Sequence, residues 1–137
     1  MLMVVWRANG VDFDVDAFLE KFAMPIDKPW RRGEKRFNRI MAESGMSGCL
    51  YNGEACDEGL EAARRFAVEW RQALDELARQ DVRVVIDLGM SVGDEVHFFT
   101  RCIRLMPADL RLFGEANVAF EVSAYASGPD RSTENEL

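Results

Sequence analysis

The sequence has few of the residues that commonly act as metal ligands and catalytic bases. Its 137 residues include one histidine, His97, and three cysteines, Cys49, Cys56 and Cys102. A lone imidazole has no second one with which to share a metal ion, and the cysteine spacing matches no zinc-binding pattern. The odd cysteine count indicates free thiols in a reducing cytoplasm. We interpret His97 as structural and expect a cytoplasmic protein that holds no metal or cofactor.

Signatures of common enzyme classes are also missing. The chain has no G-x-S-x-G motif, no P-loop and no dinucleotide-binding fingerprint. An enzyme that acts through carboxylates drawn from Asp87, Asp94 and Glu95 is an alternative. The simpler role of these acids is in a turn after a strand. The sequence therefore favours a protein that is not an enzyme.

Three acids near the N-terminus have the spacing that opens a calcium-binding loop. Asp12, Asp14 and Asp16 follow the pattern D-x-D-x-D. The positions of such a loop that require Gly and Glu are occupied by Ala17 and Ala23. We therefore interpret the acids as the N-terminus of a helix, where negative charge complements the helix dipole.

Neither hydrophobicity nor charge points to a membrane or to nucleic acid. No apolar run approaches the ~20 residues that cross a bilayer, and residues 2–8 predict a first strand rather than a signal peptide. The net charge of −7 argues against non-specific binding of the whole surface to nucleic acid or anionic membranes. That charge suits solubility or a basic protein partner.

Hydrophobic periodicity predicts an α+β fold with helices on one face of a mainly antiparallel sheet. Its core is ferredoxin-like, βαββαβ, and is preceded by a β-α unit. We expect one domain over residues 1–126 and a polar, disordered tail at 127–137. Strands are predicted at 2–8, 49–51, 81–89, 95–105 (with a bulge near Thr100) and 118–125. The first predicted helix begins after Asp14, which is its N-cap, and the second spans 34–43. The third spans 57–79, with Asp57 as its N-cap. The fourth spans 107–113, with Pro107 at its N1 position and Gly114 at its C′ position.

A basic loop, DKPWRRGEKRFNR at residues 27–39, stands out in this acidic chain. Residues 26–43 contain six basic and three acidic residues, a net charge of +3 within a chain of −7. Trp30 follows Pro29, which fixes the approach of the chain, and Gly33 permits a turn with positive φ. The unusual composition makes this loop the candidate site.

Two interpretations of Trp30 remain open. In one, the indole is a plug that fills the open side of the sheet or the end of a helix. In the other, the loop binds an anion, a base or an aromatic group of a partner, because Trp and Arg are enriched at binding hot spots. The two are compatible if the indole is half-buried. The candidate binding residues are Trp30, Arg31, Arg32, Gly33, Glu34, Arg36 and Arg39.

The loop also resembles a known family. Pro25, Trp30, Gly33 and Glu34 are similar to the W-x-x-G-[DE] signature of an uncharacterised bacterial family of small α+β domains of unknown function. The resemblance covers residues 2–126, including the predicted helix at 57–79 and the closing segment LMPADLRLFGEANVAFEVSAY. It implies no enzymatic activity and a loose association with small proteins that neutralise bacterial toxins. The insert at 35–44 and the SGMSG stretch depart from the family pattern.

These observations predict a non-enzymatic protein-binding module in the cytoplasm. Its expected role is that of an immunity or inhibitor protein whose partner is a bacterial toxin. The alternative is a small-ligand or nucleotide-binding regulatory domain that uses the basic loop. Membranes and nucleic acid are not expected partners. The oligomeric state is open, although an exposed last strand allows pairing across a dimer.

Overall fold

A computed structural model describes residues 1–92 and 101–126 of the chain. The strands are β1 (Leu2–Gly10), β2 (Lys35–Arg36), β3 (Arg39–Ile40), β4 (Ser44–Gly53), β5 (Arg83–Val92) and β6 (Val118–Ala126). The helices are α1 (Val15–Lys21), α2 (Cys56–Glu69), α3 (Arg71–Arg79) and α4 (Pro107–Glu115). Within these ranges no helix has the length and hydrophobicity of a segment that crosses a bilayer.

Four strands form one mixed sheet in the order β4-β1-β5-β6. Strand β1 is antiparallel to both β4 and β5, whereas β5 and β6 are parallel. The predicted α+β class and the mainly antiparallel sheet are therefore confirmed. The ferredoxin-like order is not confirmed, because β1 lies at the centre of the sheet rather than outside the core unit.

The predicted strand at 95–105 is one reason why the observed sheet differs from the ferredoxin-like order. Residues 101–106 are not in a strand, and they lead into α4. The other part of that prediction, including the bulge near Thr100, lies outside the described residues. Because α4 connects β5 to β6 as a crossover, the two strands run in the same direction.

The hydrophobic core lies between the helices and one face of the sheet. Because successive side chains of a strand point to opposite faces, alternate residues of β1 are fully buried: Leu2, Val4, Trp6 and Ala8. The intervening residues of β1 face the opposite side and are only partly buried. Helix α2 packs on β1 and β4, α3 packs on β5, and α4 packs on β6.

The predicted helix at 57–79 is two helices. The chain breaks at Trp70, whose φ of −104° and ψ of 20° lie outside the helical range. The break turns the chain from the β1–β4 side of the sheet towards β5. The prediction of Asp57 as N-cap is wrong, because α2 begins at Cys56 and its N-cap is Ala55.

The predicted ends of α1 and α4 are partly correct. Asp14 caps α1 by accepting a hydrogen bond from the Ala17 amide at 3.1 Å, and Pro107 is the first residue of α4. Gly114 lies inside α4 rather than at its C′ position. The residue with a left-handed backbone after α4 is Asn117, with φ of 58°, a conformation that Asn tolerates better than most residues.

A partly buried ion pair, between the partly exposed Arg64 and the buried Asp109, joins α2 to α4. The Asp109 carboxylate accepts hydrogen bonds from Arg64 Nε at 2.6 Å and from Arg64 Nη2 at 2.9 Å. It also accepts one from the Met106 amide at 2.8 Å, which caps α4. The Arg64 hydrogen bonds, followed by the Met106 hydrogen bond, lower the pKa of Asp109 to about 2.

We predict that Asp109→Asn lowers the free energy of unfolding by about 1–3 kcal/mol at neutral pH, because hydrogen bonds to a buried charge are lost. The folded-state pKa lies below the unfolded value of about 3.9. The contribution is therefore complete above about pH 5 and disappears as the pH falls towards 2. Urea unfolding of both proteins as a function of pH measures the difference.

The matched control is Glu61→Gln. Glu61 also contacts Arg64, at 3.4 Å, but from an exposed position. Removal of the Glu61 charge is expected to lower the free energy of unfolding by less than about 0.5 kcal/mol. Equal effects of the two substitutions, or an Asp109→Asn effect that does not shrink in acid, would contradict this assignment.

Candidate functional site

The basic loop runs along the outer edge of β4 and extends the sheet. The Asp27 amide donates a hydrogen bond to the Ser47 carbonyl at 2.9 Å. Trp30 and Gly45 exchange two backbone hydrogen bonds, each of 2.9 Å, as an antiparallel bridge. The Arg32 amide donates to the Ser44 hydroxyl at 2.8 Å. The path of the loop is thus set by the backbone of β4.

Trp30 packs against Gly45 and is half-buried. A Cβ atom at residue 45 would overlap the indole ring and would lie 2.6 Å from the Ala8 carbonyl oxygen. Only glycine therefore leaves room for the ring at this position. The Arg36 guanidinium lies 5.1 Å from the indole centroid, within cation–π range. Trp30 is thus a packing residue that also contacts a basic side chain of the loop.

Arg31 ties the loop to α1. Its guanidinium donates to Asp16 from Nε at 2.8 Å and to Glu34 from Nη1 at 3.1 Å. The hydrogen bonds from Arg31 lower the pKa of both carboxyls, and the same bonds raise the pKa of Arg31. Two of the predicted binding residues, Arg31 and Glu34, are therefore engaged within the protein.

The prediction of a helix at 34–43 is wrong, because this segment is a β-hairpin. Strands β2 and β3 are joined by Phe37 and Asn38, whose φ angles are 51° and 60°. Two positive φ angles are typical of a type I′ turn and are incompatible with an α-helix. Gly33, with φ of 89°, makes the predicted turn before β2, and its amide donates to the Met41 carbonyl at 2.8 Å. We call residues 34–41 the basic hairpin.

The chain that follows the basic hairpin is anchored to the sheet through Glu43. Glu43 accepts hydrogen bonds from Arg83 of β5 at 2.7 and 2.8 Å and from the Asn9 side chain. These bonds, first those of Arg83 and then that of Asn9, lower the pKa of Glu43. The hairpin therefore projects from two fixed points, Arg31 and Glu43.

The basic hairpin carries apolar and cationic side chains towards solvent. Phe37 is 87% exposed and Ile40 is 67% exposed. The Arg36 guanidinium lies between the Trp30 ring and the Phe37 ring, 5.5 Å from the centroid of the latter. Within residues 1–92 and 101–126, the side chains of Arg32, Lys35 and Arg39 form no ion pair. Their charge is available to a partner.

A cleft of about 280 Å³ lies between the hairpin and the indole. Its lining side chains are Trp30, Arg36, Phe37, Arg39 and Met41. The structure thus brings together Trp30, Arg36 and Arg39 among the predicted residues. Phe37 and Met41 were not among the predicted site residues, because a helix was predicted at 34–43. The dipeptide Phe37-Asn38 between two basic residues was a weak signal of a turn.

The residues considered for catalysis do not form a comparable site in the described part of the chain. Asp87 lies on the face of the sheet opposite the helices, where it accepts hydrogen bonds from the Ser123 hydroxyl at 2.9 Å and from Arg7 at 3.3 Å. Asp94, Glu95 and His97 lie outside the described residues. Asp87 is therefore occupied by side chains of the sheet.

Comparisons of the chain with protein-family models, curated proteins and solved structures found no match. The resemblance to a W-x-x-G-[DE] family stays a prediction.

We predict that Gly45→Ala lowers the free energy of unfolding by about 1–3 kcal/mol, because the added methyl group overlaps the Trp30 ring and a backbone carbonyl. The control is Gly114→Ala in α4, where a Cβ atom meets no other atom within 4 Å. The free energy of unfolding of this control is expected to rise by up to about 1 kcal/mol, because Ala has a higher helix propensity than Gly. Urea unfolding tests both, and unchanged stability of Gly45→Ala would contradict the packing of Trp30.

Proposed function

We propose that the protein is a non-enzymatic protein-binding module whose basic hairpin contacts the partner. The observation that carries the proposal is Phe37, which is 87% exposed and has a positive φ. A left-handed backbone costs a residue other than glycine about 1–2 kcal/mol, and exposure of the ring stabilises nothing in the isolated chain. Burial of the ring in a partner would offset the cost of the left-handed backbone.

The side chains around Phe37 indicate the chemistry of that partner. Ile40 adds apolar surface, Arg36 lies 5.5 Å from the Phe37 ring centroid, and Lys35 and Arg39 add positive charge within the same hairpin. Aromatic residues and arginine are enriched at the centres of protein interfaces. The complementary surface is an apolar pocket with an acidic rim, and its charge would accelerate association at low salt.

Within this class we propose an immunity-type role, in which the chain occludes the working surface of a bacterial toxin in the cytoplasm. Such a role needs a complementary surface and no catalytic group. The loop signature W-x-x-G-[DE] supports it by resemblance alone. The net charge of −7 leaves the remainder of the protein acidic, so a toxin with a basic cleft beside an acidic pocket would contact both surfaces.

The test is affinity capture from the native cells, followed by measurement of the dissociation constant for the purified partner. Phe37→Asn removes the ring and keeps a residue that tolerates positive φ. We predict that this variant unfolds at the same or a higher urea concentration than the wild type. Its affinity for the partner should fall at least tenfold.

Leu110→Asn is the matched control, because Leu110 is 59% exposed on α4 and is not part of the hairpin. It should bind the partner as the wild type does. Equal affinity of the wild type and Phe37→Asn would place the contact elsewhere and overturn the use of the hairpin. Capture of no protein under conditions that preserve the fold would count against a protein-binding module.

The cleft beside Trp30 supports a second candidate, a regulatory domain that binds a small anionic ligand such as a nucleotide. Arg36 and Arg39 supply positive charge there, and the indole supplies a surface for a base. Its volume of about 280 Å³ is just below the roughly 300–1,000 Å³ typical of ligand sites. The volume and the exposure of Phe37 favour a protein partner over this candidate.

Calorimetric titration with a panel of nucleotides distinguishes the two candidates. The protein-binding proposal predicts no saturable heat with any nucleotide. Saturable binding that disappears in Arg36→Gln and Arg39→Gln, but persists in the matched Arg104→Gln variant on the segment before α4, would instead establish the ligand-binding function.

A further inference from the structure

The two edges of the sheet differ in how they are protected. The outer edge of β4 is covered by the basic loop through the hydrogen bonds of Asp27 and Trp30. At the other edge, β6 pairs with β5 on one side only, and no strand among residues 1–92 and 101–126 pairs with its outer side. A strand in this position presents a row of backbone N–H and C=O groups to another strand.

Strand β6 also lacks the features that usually block such pairing. Its nine residues, VAFEVSAYA, include no proline and no lysine, and Glu121 is the one charged residue. The register with β5 is continuous from Val118 to Ala126, so no bulge twists the edge away. Glu121 is already paired with Arg7 at 3.1 Å. Val122 and Tyr125 expose 55% and 62% of their surface, so large apolar side chains are available for contact along this edge.

We propose that two copies of this chain pair antiparallel through β6, with the two-fold axis at Val122. A two-fold axis perpendicular to the sheet keeps each face of one copy continuous with the same face of the other. The residue at the centre of the pairing must then lie opposite the same residue of the second copy. A centre at Val122 pairs all nine residues, since Val118 meets Ala126 of the second copy.

Side-chain chemistry selects the same register. A centre at Glu121 would place two carboxylates directly opposite each other, which is destabilising. A centre at Val122 places Phe120 opposite Ala124 of the second copy and Tyr125 opposite Ala119 of the second copy. Large side chains then face small ones on both faces of the sheet, and Glu121 faces a serine hydroxyl.

The resulting assembly is one continuous eight-stranded sheet. The two basic hairpins, each beside β4, would lie at its opposite ends. The dimer does not depend on the function proposed for the hairpin, since β6 is at the far edge of the sheet.

The test is the molecular mass in solution, measured by sedimentation equilibrium over a wide concentration range. The wild type is expected to reach twice the monomer mass. Val122→Lys places two like charges at the axis and should raise the dimer dissociation constant at least tenfold. Val68→Lys is the matched control, because Val68 is 64% exposed on α2, and it should remain dimeric.

A monomeric wild type at every concentration would overturn the proposal. A dimer that persists in Val122→Lys would also overturn it, because the interface would then lie elsewhere. Circular dichroism confirms that each variant is folded.

Cross-linking tests the register and does not depend on the folding of Val122→Lys. In a background with Cys49, Cys56 and Cys102 changed to Ser, Val122→Cys should form an intermolecular disulfide under mild oxidation. Ala124→Cys should not, since in this register the two Ala124 positions are about 13 Å apart along the strands. Equal cross-linking at both positions, or none at residue 122, would refute the register.

Discussion

The backbone bridge between Trp30 and Gly45 is the contact on which the candidate site depends. The two residues exchange both of their peptide hydrogen bonds, and the indole occupies space that a side chain at residue 45 would fill. The bridge covers the exposed edge of β4 and fixes where the basic loop leaves the sheet. The Asp27–Ser47 and Arg32–Ser44 hydrogen bonds hold the loop on either side of this bridge.

Electrostatics then determine the direction of the hairpin. Arg31, before the hairpin, pairs with Asp16 of α1, and Glu43, after it, pairs with Arg83 of β5. With the base held at both ends, the turn at Phe37 must project outwards. The ion pairs of Arg31 and Glu43 neutralise charges beside the sheet, whereas Lys35 and Arg39 of the hairpin form no ion pair among the described residues. Structural and binding roles are therefore divided along one short segment.

Local patterns in the sequence predicted much of the fold. The strands predicted at residues 2–8 and 81–89 and the cap at Asp14 depend on neighbouring residues alone, and these predictions are confirmed. The central position of β1 was not predictable, because strand order depends on contacts between distant segments. The break at Trp70 was hidden by an apolar stripe that continues through it. The hairpin was missed because two-residue strands have no periodicity and Phe37 is an unusual residue for its turn.

The most direct test of this account is an NMR measurement of the Trp30–Gly45 contact. The account predicts strong nuclear Overhauser effects between the indole protons and the Gly45 α-protons. It also predicts an upfield shift of those α-protons by the ring, and cross-strand effects between residues 36 and 39. Absence of the indole–Gly45 effects, with random-coil shifts through residues 31–41, would show that the loop is not held against β4 and would contradict the account.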